Sequence, residues 1–155
     1  MIRPFKSSDL EAYENMSREF YDSEATDHKI PEIHFRRTFD ETVSGSPLAR
    51  GWMLFDDAEP ENPAGYFLAS ITWSTEFGGR VCWLEELYIR PGFRGRGLGR
   101  QAMEAAMAEL KAKDKVTGFR LEVTPANASV TELYRRLGFV PVPYEGWWMP
   151  SGENK

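Results

Sequence analysis

The chain has 155 residues, 41% of them hydrophobic and 14% aromatic, enough apolar material for one folded domain and too much for a disordered or fibrous chain. A formal net charge of -5 speaks against nucleic-acid binding over the whole surface, and a single cysteine, Cys82, excludes an internal disulfide and any metal site of paired cysteines. No run approaches the ~18 apolar residues of a membrane span and Met1 to Lys6 carries no apolar leader, so the expectation is a soluble cytoplasmic protein that contacts neither nucleic acid nor membrane.

Met1 to Phe5 is expected to form a short first strand, and Ser7 or Ser8 with Asp9 then supplies a helix N-cap. Leu10, Tyr13, Met16 and Phe20 follow at spacings of three and four, which places them on one face of a first helix. A polar connector from Asp22 ends at Pro31, and Ile33 to Val43 reads as a second helix carrying Phe35 and Phe39. Acids in such a connector are usually solvated, but loops carry specificity, and of Asp22, Glu24 and Asp27 the last is the candidate for touching a substrate. His28 and His34 share no helical register with carboxylates, so no metal is expected.

Gly45-Ser-Pro47 breaks the chain before a strand at Trp52 to Phe55. Residues 56–63, dense in Asp, Glu, Asn and Pro, read as a turn, and Gly65 to Trp73 as a long apolar strand. Gly78-Gly79 makes a hairpin into Val81 and the central strand Trp83 to Ile89, giving three consecutive antiparallel strands that stop at Pro91-Gly92.

The next stretch organises the rest. Arg94, Arg96 and Arg100 interleave with Gly95, Gly97 and Gly99, and Leu98, Ala102, Met103, Ala106, Met107 and Leu110 then mark one face of a helix. Glycine lets the backbone approach a ligand, and the first helical turn offers unpaired N–H groups backed by the peptide dipoles. An ordinary surface turn uses the same glycines, but the strand–loop–helix context favours a phosphate or pyrophosphate site. Lys111 to Gly118 reads as a polar turn and Phe119 to Val123 as a strand parallel to the central one across a right-handed crossover.

Pro125-Ala-Asn127 opens a fourth helix with Val130, Leu133, Tyr134 and Leu137, capped at Gly138. Phe139 to Val142 and Tyr144 to Met149 are expected to finish the sheet, with Ser151 to Lys155 as a tail. The order β-α-α-β-β-β-α-β-α-β-β describes a single α/β domain over residues 1–150, with a mixed sheet of about six to seven strands and four helices. Exposed strand edges and the aromatic last strand are compatible with a homodimer.

Arg94-Gly-Arg-Gly97-Leu-Gly99 resembles the Arg/Gln-x-x-Gly-x-Gly/Ala loop of the GNAT superfamily of acyl-CoA N-acyltransferases. Asn127, followed by Leu133-Tyr134-Arg-Arg-Leu-Gly138-Phe139, is similar to that superfamily's later signature, in the same order and on the helix where it belongs. More loosely, Leu84-Glu-Glu-Leu-Tyr-Ile-Arg-Pro91 and Glu145-Gly-Trp147 resemble the diamine and polyamine acetyltransferase branch.

The resemblance implies acetyl-CoA as co-substrate and a small-molecule amine as acceptor. It implies that the backbone from Arg94 through Gly95, Arg96, Gly97 and Leu98 to Gly99, with Arg100, holds the pyrophosphate. The pantetheine arm would pair with the strand edge at Leu87, Tyr88 and Ile89 and touch Asn127, a strand amide would stabilise the oxyanion, and Tyr134 would protonate the leaving thiolate.

The chemistry also asks for a proton acceptor, because an aliphatic amine of pKa near 10 is protonated at neutral pH. Glu85 and Glu86 are adjacent on the central strand, so alternation sends them to opposite faces and lets only one enter a given cleft. Glu85 is the expected base, on the face where the superfamily carries its carboxylate; Glu86 is left to bind a cationic acceptor or to make a structural pair. Of Trp147 and Trp148, which alternate on the last strand, Trp147 is the candidate wall of the acceptor site.

Two other functions compete. Gly97-Leu-Gly99-Arg-Gln-Ala102 with Glu122 also satisfies a nicotinamide-dinucleotide fingerprint, but residues 91–96 separate those glycines from the strand and too little chain remains for that sheet. A non-catalytic acyl-CoA sensor or interaction module would need neither Glu85 nor Tyr134. Direct transfer from a ternary complex leaves Cys82 dispensable.

Overall fold

The computed structural model of the chain describes residues 1–23, 26, 28–124, 130–147 and 149. The elements are β1 (Ile2–Pro4), α1 (Leu10–Tyr21), α2 (Ile33–Val43), β2 (Ala49–Asp56), β3 (Glu59–Ser74), β4 (Gly79–Ile89), α3 (Leu98–Asp114), β5 (Val116–Arg120) and α4 (Thr131–Arg136). The strands lie in one mixed sheet in the order β1-β2-β3-β4-β5, antiparallel throughout except for the parallel pair β4 and β5. The 17 residues of α3 make that crossover, a span of about 25 Å at the helical rise. Among the described residues no helix is long and apolar enough to cross a membrane.

Helices cover both faces. Tyr13, Met16 and Phe20 of α1 and Phe35 and Phe39 of α2 bury themselves on Met53, Phe55, Tyr66, Leu68 and Tyr88. On the opposite face Met103, Ala106 and Leu110 of α3 pack on Trp52, Phe67, Ala69, Ile71, Cys82 and Leu84, with Leu133 and Tyr134 of α4 and the Leu137 that follows it half-buried beside them. The helical stripes read from the sequence are therefore the buried ones, because burying an apolar stripe on a sheet face removes the most apolar area from water.

Asp9 acts differently from expectation. Residues Ser7–Asp9 form a 3-10 turn, and the Asp9 side chain makes no cap bond to α1. Its carboxylate instead accepts the Lys6 N–H at 2.7 Å and two bonds from the Arg3 guanidinium, at 2.7 and 2.9 Å. Burial pushes this carboxyl up, but the bonds from Arg3 and Lys6 outweigh it and hold it below the usual range. A carboxyl lowered in the folded state contributes stability that is complete above the ordinary carboxylate range and is lost as pH falls through the lowered value. Asp9→Asn is expected to melt below the parent at neutral pH, by about 2 kcal/mol of stability, and to converge with it in acid. A constant gap across that pH range would assign the loss to packing.

The sheet departs from the expected one at its far end. The described residues hold five strands: 139–147 and 149 form no strand, although Gly138 does close α4 with Phe139 N–H donating to the Tyr134 carbonyl. Pro141 and Pro143 lack ladder donors, which works against strands there. Smaller differences are that the turn after β2 is only Asp57–Ala58, and that α3 runs on through Lys111 to Asp114, with β5 starting at Val116. Residues 151–155 lie outside the described part.

Two irregularities of β4 shape the region that follows. Leu68 stands opposite Glu86 and Ala69 opposite Leu84, so Glu85 is an extra residue, a β-bulge. Pairing with β5 ends at Trp83 opposite Arg120, while β4 continues to Ile89. Beyond that point the two parallel strands fork.

Candidate active site in the fork between β4 and β5

The fork opens a cleft of about 260 Å³. Leu84, Glu85, Glu86 and Leu87 form one wall and residues 121–124 the other, with Phe67, Met103 and Tyr134 on the α3 side and Phe20, Tyr21, Thr26 and His28 on the α1 side. The cleft passes through the sheet, which only strands that have parted allow.

Both glutamates line it. The expectation that they point to opposite faces fails because of the bulge. Leu84 and Leu87, with two residues between them across the bulge, both face α3, and Glu85 and Glu86 both turn to the other side. Glu85 is exposed and accepts the Ser70 hydroxyl; Ser70 lies between Ala69 and Ile71, which face α3, and so points the opposite way. Glu86 accepts the Tyr21 hydroxyl on Oε1 at 2.7 Å and the Tyr66 hydroxyl on Oε2 at 2.6 Å.

The electrostatics are one-sided. No lysine or arginine is among the described residues lining the cleft, whereas Glu85, Glu86 and Glu122 are. Burial pushes the Glu86 carboxyl above its ordinary value, the two tyrosine hydroxyls pull it back, and the neighbouring Glu85 charge adds to the rise. Tyr66, fully buried, has its phenol raised by burial and by the Glu86 charge, so it is a neutral donor.

Tyr134 enters the cleft from α4 with its ring edge-on to Phe139 at 6.1 Å. Burial raises its phenol, which keeps it a proton carrier at neutral pH. Cys82 is fully buried in the α3-side core and its thiol is pushed up to about 12, mainly by burial, so it offers no nucleophile.

At the mouth of β4 the chain passes through a 3-10 turn, Pro91–Phe93, and enters α3 at Gly97, whose φ of 79° lies in the left-handed region and requires glycine. Gln101 N–H is the first to close on the loop, at the Gly97 carbonyl, which leaves the preceding first-turn amides of Leu98, Gly99 and Arg100 directed outward. The arginines brace the loop. Arg94 donates to the Ile89 carbonyl at 2.8 Å, Arg96 to Asp56 at 3.0 Å and the Gly92 carbonyl at 2.9 Å, and Arg100 to Glu104 at 2.9 Å. Beside this loop Leu87, Tyr88 and Ile89 present the edge of β4 that β5 has left unpaired.

The structure thus brings Glu85, Glu86 and Tyr134 to one cleft and sets the glycine loop at the end of the same strand. It does not bring Trp147 there: that ring is 91% exposed and outside the lining. Asp27 and Asn127, with Glu24 and Trp148, lie outside the described residues; Asp22 pairs with Lys29 at 2.6 Å. Tyr21 and Tyr66 carried no signal in the sequence, since one ends a helix off its apolar stripe and the other reads as strand core.

The chain matches the model of the acetyltransferase (GNAT) family over residues 10–139. It is 31% identical over 153 residues to a thialysine N-epsilon-acetyltransferase of Bos taurus, covering 95% of this chain and 88% of that one. Among solved structures it resembles an integron cassette protein from the mobile metagenome of a salt marsh, with TM-score 0.81, 20% identity and 98% and 91% of the two chains covered. It also resembles the aminoglycoside acetyltransferase AAC(6')-Iy solved with a CoA-containing bisubstrate analogue, with TM-score 0.78, 17% identity and 98% of each chain covered.

Proposed function

This chain belongs to the GNAT family of acetyltransferases and is an acetyl-CoA-dependent N-acetyltransferase, and we propose that it transfers acetyl directly to a primary amine of a small, polyamine-like molecule. The observation that carries the acceptor is the cleft itself: carboxylates on one side of the sheet with no described cation among them, and Tyr134 on the other. The bovine relative is named for a small amino acid side-chain amine, which is of the same chemical kind.

In this scheme the loop from Arg94 to Arg100, with the outward amides of Leu98, Gly99 and Arg100 and the helix dipole of α3, holds the pyrophosphate. The unpaired edge of Leu87, Tyr88 and Ile89 offers the pantetheine amides a strand to pair with, and the fork fits it, since β5 has left that edge free. Asn127 is assigned to the same arm by its place in the motif. The thioester then lies between the acidic and tyrosine sides of the cleft, where a β4 amide beside the bulge can stabilise the oxyanion. The ammonium gives one proton to a cleft carboxylate, and the nitrogen attacks the carbonyl carbon. As the carbon–sulfur bond breaks, sulfur takes a proton from Tyr134, which recovers one from the nitrogen. Ammonium and thioester give amide, thiol and one proton released. Asp27, which lies between Thr26 and His28 in the sequence, is assigned by the same reading to the acceptor side, where a second positive charge would sit.

The test is thiol release from acetyl-CoA across a panel of diamines, polyamines, thialysine, amino acids and aminoglycosides, with a no-acceptor control. Turnover on diamines or polyamines at about 10-fold or more above matched monoamines is expected. Equal rates on all amines would overturn the polyamine-like acceptor, and tight acetyl-CoA binding without any turnover would favour a sensor.

A further inference from the structure

Of the two carboxylates in the cleft, one is held as a base is held. We propose that Glu86 rather than Glu85 takes the acceptor's proton, and that Tyr21 and Tyr66 are positioning residues that fix its carboxylate and set the pH at which the enzyme works. This rests on the acetyl-transfer reading.

The geometry separates the glutamates. Glu85 is the exposed, extra residue of the bulge, tethered through one oxygen to Ser70. Glu86 has each oxygen occupied by a different element, Tyr21 from the end of α1 at 2.7 Å and Tyr66 from β3 at 2.6 Å. Two hydroxyl donors leave lone pairs on both oxygens, so the carboxylate is fixed in orientation and still able to accept a proton from the cleft. Tyr66 is fully buried, and Tyr21 is stacked on Phe35 with ring centres 5.7 Å apart, so neither donor is free to swing away.

The surroundings define the direction of each change. From β4 the Glu85 charge opposes ionisation of Glu86; from β3 and α1 the Tyr66 and Tyr21 hydroxyls favour it. Tyr13 of α1 feels the Glu86 charge, and burial keeps its own phenol neutral. His28, Glu122 and Tyr134 complete the titratable groups among the described lining, and no lysine or arginine joins them. Donors without a cation leave a carboxylate more basic than an ordinary one and so suited to take a proton from an ammonium. In the step, an N–H bond of the ammonium breaks as a Glu86 O–H bond forms, the electron pair stays on nitrogen to attack the thioester, and the proton later leaves to water at the cleft mouth.

The experiment is the pH dependence of kcat/KM for the parent, Glu86→Gln, Glu85→Gln, Tyr21→Phe and Tyr66→Phe, with thermal melting of each. The base must be unprotonated, so removing a donor moves the acidic limb to higher pH, by about one unit for each tyrosine. Removing the Glu85 charge moves it to lower pH, and Glu86→Gln abolishes it with a loss of about 100-fold in kcat/KM. A limb that disappears in Glu85→Gln, or that neither tyrosine variant moves, would overturn the assignment. A second readout is the infrared band of the protonated Glu86 carboxyl, identified by its absence in Glu86→Gln and titrated on the protein alone. Should no amine be turned over, the acetyl-transfer reading falls by itself. The infrared midpoint then decides the clamp: upward in both tyrosine variants upholds it, and an unmoved midpoint overturns it.

Discussion

Tyr134→Phe is expected to lower kcat by about 100-fold, the contribution of one well-placed general acid, while KM for acetyl-CoA stays within about twofold. The ring is what α4 uses structurally: it packs beside the α3-side core and sits edge-on to Phe139, and phenylalanine keeps both contacts. The hydroxyl has no hydrogen-bond partner among the described residues, so deleting it orphans nothing there. The loss should therefore appear in turnover and not in melting temperature. With thiol release followed at saturating acetyl-CoA, unchanged turnover would remove Tyr134 from the chemistry, and a parallel fall in melting temperature would make it a packing residue.

Gly65→Ala should have the largest effect on the fold. A Cβ built at Gly65 would lie 2.1 Å from the Tyr88 carbonyl oxygen, a backbone atom with no rotamer to retreat to. Gly65 is paired with Ile89 at the end of β4, so relief requires β3 and β4 to separate where the glycine loop begins. Overpacking of this kind costs about 3 kcal/mol, which is about 10 °C in melting temperature for a domain of this size. Because the displaced segment carries Leu87 to Ile89, acetyl-CoA affinity should fall with stability. Calorimetric melting and acetyl-CoA titration check both; a variant with parental melting temperature would show that the strands part there at little cost. Gly99→Ala is the contrast, since its Cβ would meet the Leu87 side chain at 3.4 Å and the Ile89 side chain at 4.0 Å, both ordinary contacts with side chains.

Much of this molecule was legible in the chain because it is local. The stripes Leu10, Tyr13, Met16, Phe20 and Leu98, Ala102, Met103, Ala106, Leu110 declare helices whose buried faces the structure confirms, and α2 falls on the very residues 33–43 that its apolar spacing marks. The glycine loop was readable for the same reason: a left-handed Gly97 opening a helix is a property of a few consecutive residues. The end of the sheet is not legible in the same way: Val140, Val142 and Tyr144 alternate as in a strand, while the prolines between them withdraw the donors a strand needs. Those three side chains stand 78%, 63% and 69% exposed.

The sequence by itself determined the layered α/β fold, the glycine loop that opens α3 and the residue types that stand in the cleft, Glu85, Glu86 and Tyr134, since each depends on residue type and short-range spacing. Only the tertiary structure decided how those groups meet. The side on which Glu85 falls depends on one extra residue measured against β3, the cleft exists because β4 outruns its pairing with β5, and Glu86 is gripped by Tyr21 and Tyr66 from 65 and 20 residues away. Strand register and long-range hydrogen bonds are relations between distant segments, and periodicity within one segment carries no information about them.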